Sequence, residues 1–197
     1  MAAAAWEAGA DAIGLVFHTP SPRHATLPTA AEIAAAAPAF VTMVGLFVDP
    51  TEAFVREALR EVRLGALQFH GDESPGFCAQ FGLPWIKAVR VGKGTDLIEF
   101  VSAFRGANAL LLDAAVAGQH GGTGQSFDWA LIPRGMQRPV VLSGGLHPGN
   151  VGAGIAAVRP WAVDVSSGVE RARGVKDADL IVQFVRSVRD ADARCGE

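Results

Sequence analysis

Seven short apolar runs recur along the chain, roughly 20–30 residues apart, with more polar segments between them. Each run is almost continuously hydrophobic instead of alternating, which is typical of parallel strands buried on both faces. The pattern therefore predicts seven buried strands. In chain order the runs are AIGLVF from Ala12, TMVGLFV from Thr42, GALQF from Gly65, WIKAV from Trp85, ALLLD from Ala109, VVLSGG from Val140 and AVDVSSG from Ala162.

The segments between the runs carry helix signals. Thr29–Glu32, TAAE, has the capping-box pattern, and Asp49 followed by proline is typical of a helix start. Gly82 and Gly106 are placed to end helices, and Asp177 is placed to begin the last one. Strand and helix thus alternate, which predicts repeated βαβ units and a parallel sheet.

Two architectures are compatible with this alternation: a doubly wound open sheet and a (β/α)8 barrel. No G-x-G-x-x-G follows the first run, which weakens the dinucleotide-binding form of the open sheet. Polar and glycine-rich residues instead follow run after run, at the carboxyl ends where barrel enzymes build their sites. We therefore predict an α/β fold, a single (β/α)8 TIM-barrel domain over residues 1–197. A barrel needs eight strands, so one β-strand is missing from the count.

Composition narrows the function classes. Half of the 197 residues are hydrophobic, the formal net charge is −3 and the pI is near 5.9. This charge argues against a nucleic-acid or membrane-surface partner, and no apolar stretch is long enough to cross a bilayer. Cys78 and Cys195 lie far apart and form no metal or redox spacing, so we expect a protein of the reducing cytoplasm. We also expect a monomer.

The loops after the last two runs are candidates for a phosphate site. Leu142–Leu146, LSGGL, and Asp164–Glu170, DVSSGVE, place small residues where backbone N–H groups can approach an anion. A phosphate site in these two loops recurs among barrels. The alternative is that the glycines only permit tight turns. The candidate ligand-binding residues are Gly144, Gly145, Asp164, Ser166 and Ser167.

Three further polar residues follow strand ends. Asp113 ends the run ALLLD and is either a helix cap or a partly buried general acid aimed into the barrel mouth. Arg23, in a loop stiffened by two prolines, either clamps a ligand carboxylate bidentately or is a solvated surface arginine. His70 lies beside acidic residues, but the five histidines have no metal-ligand spacing, so we expect no metal.

A long segment, AAVAGQHGGTGQSFDW, follows Asp113. It is unusually long and glycine-rich for a connection between a strand and a helix. It is therefore a candidate lid or substrate loop, with Gly122 inside it.

Several strings together resemble one family, phosphoribosylanthranilate isomerase. The strings are, in chain order and over essentially the whole chain, GADAIGLVF…SPR, LQFHG, LLLDA…GGTGQSFDW, VLSGGLHPGNV and RPWAVDVSSGVE…G…KD. The resemblance implies a (β/α)8 barrel and an isomerase of tryptophan biosynthesis. It implies an Amadori rearrangement of N-(5-phosphoribosyl)anthranilate to 1-(2-carboxyphenylamino)-1-deoxyribulose 5-phosphate, with no cofactor.

The resemblance also implies roles for individual residues. Asp113 matches the general acid that opens the furanose ring, and Arg23 matches the arginine at the anthranilate end of the substrate. His70 belongs to a family motif without a firm role, and Gly122 belongs to the loop expected to cover the ligand. The residues in the loops that match the phosphate site are Gly144, Gly145, Ser166 and Ser167, and Asp164 opens the second of these loops.

The chain departs from the family's pattern at its start. Members begin with a strand resembling K-I-C-G-I/L-T, whose cysteine is the general base, and nothing of this kind precedes Ala2–Ala8, which has the pattern of a short helix. Cys78, at a helix position, and Cys195, in the tail, do not replace it. We therefore expect residues 1–197 to lack the first barrel strand, through a misplaced start or a truncation, and to have the acid without the base.

Two other hypotheses remain open. One is another phosphosugar-binding barrel enzyme, such as a sugar-phosphate epimerase, although no paired histidine and acidic ligands support a metal-dependent one. The other is a non-catalytic phosphate-binding remnant. The remnant would bind the substrate without turnover, even after the missing strand is restored.

We predict that the polypeptide of residues 1–197 is nearly inactive. A form extended upstream by roughly a dozen residues that include the cysteine should be faster by about 10²–10⁴-fold, because a proton-transfer group typically contributes such a factor. The fluorescence of phosphoribosylanthranilate, followed as it is consumed, measures both rates. Ordinary turnover by residues 1–197 alone would contradict this prediction.

Overall fold

One fully parallel sheet organises the computed structural model, which describes residues 1–92, 94–114, 128–133 and 135–195. All seven predicted strands are confirmed, and each pairs in parallel with the next one along the chain. The strands are β1 (Ala12–Val16), β2 (Thr42–Phe47), β3 (Ala66–Phe69), β4 (Trp85–Val91), β5 (Ala109–Ala114), β6 (Val140–Leu142) and β7 (Ala162–Val163).

The strand order distinguishes the two architectures. A doubly wound sheet reverses its order at a switch point, so some neighbouring strands are not consecutive in the chain. Here every neighbour in the sheet is the next strand in the sequence, as in a (β/α)8 barrel. In the part of the chain that the structure describes, β1 and β7 are the two outer strands of the sheet.

Helices lie between most of the strands. The first and last helices, α1 and α7, pack against each other, so the two ends of the chain meet. A two-stranded hairpin, β8 (Glu170–Ala172) and β9 (Val175–Lys176), lies between β7 and α7. Within the described ranges no helix has the length and hydropathy to cross a membrane. The helices are α1 (Ala2–Ala8), α2 (Leu27–Ala36), α3 (Glu52–Glu61), α4 (Pro75–Ala79), α5 (Leu97–Ala103), α6 (Val151–Val158) and α7 (Ala178–Cys195), with 3₁₀ turns at Trp129–Leu131 and Ser167–Val169.

Two helix starts differ from their predicted positions. The N-cap of α2 is Thr26, whose hydroxyl accepts a hydrogen bond from the Thr29 backbone N–H. The N-cap of α3 is Thr51 instead of Asp49. In both cases a threonine hydroxyl is placed to satisfy the N–H three residues further on, which is the usual N-cap geometry. Asp49, with a left-handed φ of 46°, instead accepts a hydrogen bond from the Asp72 backbone N–H.

Aromatic side chains fill the layer between the sheet and helices α3 and α4. Phe17, Phe47 and Phe69 follow one another with ring centroids 5.2 Å and 6.1 Å apart. Phe54 of α3 lies edge-on to Phe47, and Phe77 of α4 lies edge-on to Phe69. Phe47 and Phe69 are fully buried, so this aromatic layer anchors the helices to the strands.

Truncating the aromatic layer should destabilise the fold. Phe47→Ala should lower the free energy of unfolding by about 3–5 kcal/mol, because it leaves a cavity at a fully buried position. Phe40→Ala is the matched control, since Phe40 is 98% exposed and its loss should change stability by no more than about 0.5 kcal/mol. Urea unfolding followed by tryptophan fluorescence measures both variants. Equal effects would show that the layer does not stabilise the fold.

Candidate active site

Polar side chains from four strands lie at the carboxyl edge of the sheet. His70 directly follows β3, Asp113 is the next-to-last residue of β5, Ser143 follows β6 and Asp164 follows β7. Hydrogen bonds join His70 to Asp113 and Ser143 to Asp164, so side chains from strands that are distant in sequence meet here. In a barrel this edge is where catalytic groups are found.

A largely enclosed histidine, with 11% of its side chain exposed, orients Asp113. His70 Nε2 lies 3.2 Å from Asp113 Oδ2, and His70 Nδ1 lies 3.2 Å from Gln68 Nε2. An amide nitrogen can only donate, so Nδ1 accepts and Nε2 carries the proton that is donated to Asp113. Asp113 is 4% exposed and Gln68 7%, which shields this arrangement from bulk water. Gln68 therefore fixes the tautomer of His70, and His70 fixes the orientation of Asp113.

A second carboxyl group, Asp164, lies near this pair. Ser143 donates a hydrogen bond of 2.8 Å to Asp164 Oδ2. Burial raises the pKa of Asp164; the Ser143 hydrogen bond opposes this rise, and the nearby Asp113 carboxylate adds to it. Two interacting carboxyl groups, one with a raised pKa, are typical of acid–base sites.

Arg90 also belongs to this edge of the sheet. It pairs with Asp113 in the parallel register of β4 and β5, which places the two residues side by side on the same face. Its Nε is buried and has no hydrogen-bond partner among the described residues. A buried donor of this kind calls for a partner, and the site edge is where a ligand could supply one.

The loops after β6 and β7 are in direct contact. A Cβ atom at Gly168 would collide with the Leu146 carbonyl oxygen, so the two loops can lie this close only with glycine at position 168. Gly144 and Gly145 both have left-handed φ angles, 79° and 67°. Backbone amides in such turns can face an anion together. The two loops predicted to bind phosphate therefore lie side by side.

Lys176 adds a positive charge to the second of these loops. Its Nζ donates to the Ser166 carbonyl oxygen at 2.8 Å and to the Ser166 hydroxyl at 3.3 Å. Ser167, the next residue, begins a 3₁₀ turn. Sequence reasoning did not single out Lys176, although it lies in the KD pair of the family resemblance.

Arg23 is held by a carboxylate of the chain itself. Its Nε and Nη2 donate to the two oxygens of Glu170 at 2.6 Å and 2.8 Å. The Arg23 side chain is 15% exposed, so the alternative of a solvated surface arginine is wrong. Burial would raise the pKa of Glu170, but hydrogen bonds from Arg23 and Lys176 outweigh it and bring the pKa down to about 2. The role of Arg23 as a clamp for a substrate carboxylate stays a prediction.

A buried ion pair supports the loop after β3. Lys87 Nζ lies 2.8 Å from Glu73 Oε2 and also donates to the carbonyl oxygens of Phe69 and Gly71. Glu73 in turn accepts hydrogen bonds from the backbone N–H groups of Gly71 and Asp49. Both side chains of the pair are 3% exposed. This pair therefore fixes the backbone that directly follows His70.

Cys78 is unsuited to act as a base. It is 1% exposed in α4, and burial raises its pKa to about 12, against the opposing effect of Lys87. Its thiol stays protonated near neutral pH.

The part of the chain that the structure describes contains no group of three or more metal-ligating side chains. The predicted loop residue Gly122 and the side chain of Cys195 lie outside the described residues.

Comparison with known proteins identifies the family. A family model described as N-(5'phosphoribosyl)anthranilate (PRA) isomerase matches residues 1–187. The chain belongs to this family. Two PRA isomerases, from Thiobacillus denitrificans and Leptothrix cholodnii, are each 55% identical to it, over 94% and 95% of this chain and 91% and 84% of their own lengths.

Solved structures of PRA isomerases have the same fold. The enzyme from Thermotoga maritima matches with a TM-score of 0.89 at 39% identity, covering 96% of this chain and 93% of that one. A PRA isomerase in complex with reduced 1-(o-carboxyphenylamino)-1-deoxyribulose 5-phosphate matches with a TM-score of 0.85 at 38% identity, covering 96% and 92%. The predicted family and the TIM-barrel fold class are confirmed, and the doubly wound alternative is wrong.

The low pKa of Glu170 predicts a defined acid sensitivity. Its pKa is about 2 in the folded chain against an ordinary 4.5, so the unfolded state binds more protons between these values. The stability that Glu170 contributes is therefore present above about pH 4.5 and is lost as the pH falls toward 2. Glu170→Gln should flatten this part of the pH dependence of the free energy of unfolding, measured by urea denaturation.

The control for this pH experiment is Glu52→Gln. Glu52 pairs with Arg56 at the surface, where the two side chains are 51% and 48% exposed, so its removal should change the pH dependence little. If Glu170→Gln and the unchanged chain lose stability at the same rate on acidification, the Glu170 network does not stabilise the fold.

Proposed function

We propose that the upstream-extended form of the chain isomerises N-(5′-phosphoribosyl)anthranilate to 1-(2-carboxyphenylamino)-1-deoxyribulose 5-phosphate in tryptophan biosynthesis, with Asp113 as the general acid. The observation that supports this most is the largely enclosed contact between His70 and Asp113, at the same sheet edge as the two touching glycine loops. Ring opening of a phosphorylated aminoaldose needs a proton donor beside an anion site. A solved relative binds a reduced form of the product, which supports the same substrate class.

The phosphate group of the substrate binds at the loops after β6 and β7. Gly144 and Gly145 supply backbone N–H groups, and Ser166 and Ser167 supply further donors from the second loop. Lys176 complements the negative charge, because its Nζ is hydrogen-bonded to Ser166. The anionic ligand is thereby held without a metal ion or cofactor.

Asp113 begins the reaction. His70 orients this carboxyl group through its hydrogen bond to Oδ2, and Asp113 supplies the proton. It moves to the furanose ring oxygen, the bond from C1′ to that oxygen breaks, and the nitrogen lone pair forms the C1′=N bond. A general base then takes the C2′ proton, which leaves an enolamine that tautomerises to the ketone. The family resemblance implies that this base is the cysteine of the upstream strand. Asp164 binds a sugar hydroxyl near Asp113, and Arg23 binds the anthranilate carboxylate.

The proposal extends to the cellular compartment and the oligomeric state of the protein. We propose a cytoplasmic protein that takes a small phosphorylated substrate, and a reducing compartment is compatible with the free, buried thiol of Cys78. We also propose that it is a monomer. Since one relative, from Thermotoga maritima, is a dimer, analytical ultracentrifugation is the measurement that tests this.

Removing the acid should abolish most of the turnover. In the upstream-extended form, Asp113→Asn should lower kcat by about 10²–10⁴-fold, because the amide cannot deliver the proton. Asp192→Asn, at an exposed position of α7, is the matched control and should leave kcat unchanged. Substrate fluorescence gives the rates, and calorimetric titration with the reduced product analogue shows whether each variant still binds.

The results separate the competing functions. Wild-type turnover by Asp113→Asn would remove Asp113 from the mechanism. Binding of the analogue without any turnover by the extended form would favour the non-catalytic remnant. Binding of neither the analogue nor the substrate would favour another phosphosugar enzyme.

A further inference from the structure

Glu170 carries a fully satisfied, buried carboxylate at the start of the β8–β9 hairpin. Its side chain is 3% exposed. Oε1 accepts from Arg23 Nε at 2.6 Å and from Lys176 Nζ at 2.9 Å. Oε2 accepts from Arg23 Nη2 at 2.8 Å and from the Gly174 backbone N–H at 3.0 Å. Four donors therefore converge on one carboxylate, and two of them belong to an arginine 147 residues away.

The two cations share Glu170 Oε1, and each is linked to one of the two anionic ends of the proposed substrate. Arg23 comes from the loop after β1 and is assigned to the anthranilate carboxylate. Lys176 comes from β9 and also contacts Ser166 in the phosphate loop. Two cations against one carboxylate leave a net positive charge, which suits a substrate that is anionic at both ends.

Glu170 takes only one edge of the Arg23 guanidinium. An arginine offers two bidentate edges, Nε with Nη2 and Nη1 with Nη2. Glu170 occupies the first edge, and Nη1 has no hydrogen-bond partner among the described residues. The second edge is thus available for another carboxylate in a fork-to-fork arrangement.

We propose that Glu170 is a positioning residue that couples the two ends of the substrate site, an inference that rests on the proposed function. It fixes one edge of Arg23 so that the other edge is presented to the anthranilate carboxylate. It also fixes Lys176 against Ser166, which keeps the loop after β7 in the shape that receives the phosphate group. One side chain therefore orders both anion-binding ends without touching the substrate.

Glu170→Gln tests the coupling because it keeps the shape of the side chain and replaces one acceptor oxygen with a donor. Two probes report on the two ends: reduced 1-(o-carboxyphenylamino)-1-deoxyribulose 5-phosphate carries both anions, and ribulose 5-phosphate carries only the phosphate. In calorimetric titrations, Glu170→Gln should lower the affinity for the analogue by roughly 10–100-fold, as expected when hydrogen bonds to charged groups are lost. It should lower the affinity for ribulose 5-phosphate by a smaller factor, because that probe has no carboxylate for Arg23 and is affected only through Lys176 and Ser166.

Three further variants complete the design. Arg23→Lys keeps the charge but cannot form bidentate hydrogen bonds to two carboxylates, so it should lower the affinity for the analogue only. Lys176→Gln should lower the affinity for both probes by the same factor. Glu52→Gln, which removes an exposed ion pair, is the matched control and should change neither affinity. Thermal unfolding of each variant separates weaker binding from loss of the folded state, and the Arg23 and Lys176 variants carry the test if Glu170→Gln does not fold.

The outcomes are distinguishable. If the upstream-extended form without substitutions binds neither probe, the proposed function fails and this inference fails with it. If it binds both and Glu170→Gln is less stable but binds both equally well, Glu170 has a structural role only and the inference alone is overturned. Equal weakening of both probes by Glu170→Gln, or no effect of Arg23→Lys on the analogue, removes the link through Arg23.

Discussion

The parallel pairing of β1–β7 in chain order is the constraint on which the site depends. Because each strand pairs with the next in the same direction, every carboxyl end reaches the same edge of the sheet. His70 and Asp113 meet there although 43 residues separate them. The register of β4 and β5 adds Arg90 beside Asp113. The polar edge is thus a product of strand order, and no local segment could form it alone.

Two buried carboxylates near this edge, Glu170 and Glu73, lie in fully hydrogen-bonded networks. Glu170 accepts from four donors, and the buried pair of Glu73 and Lys87 is completed by backbone groups of the loop after β3. Buried charges are tolerated only when they are paired and hydrogen-bonded in this way. The networks therefore hold loops that would otherwise be free to move, and these are the loops that carry the candidate ligand-binding residues.

The sequence predicted the strands well and the side-chain contacts poorly. Continuous hydrophobicity marks a doubly buried strand directly, and each of the seven runs became one. The helix caps shifted because Thr26 and Thr51 compete with equally plausible neighbours, which only the three-dimensional path decides. Asp113 could be found because it ends a hydrophobic run. Glu170 could not, since its importance comes from Arg23 at the other end of the chain.

The buried pair of Glu73 and Lys87 limits how this barrel could be engineered for heat resistance. Exchanging a buried ion pair for apolar residues of similar volume often strengthens a core. Here the same two side chains also tether the backbone of Phe69 and Gly71, on either side of the histidine that orients Asp113. A more stable apolar core would therefore release the segment that holds His70 against Asp113, so heat resistance and the geometry of this pair would change in opposite directions.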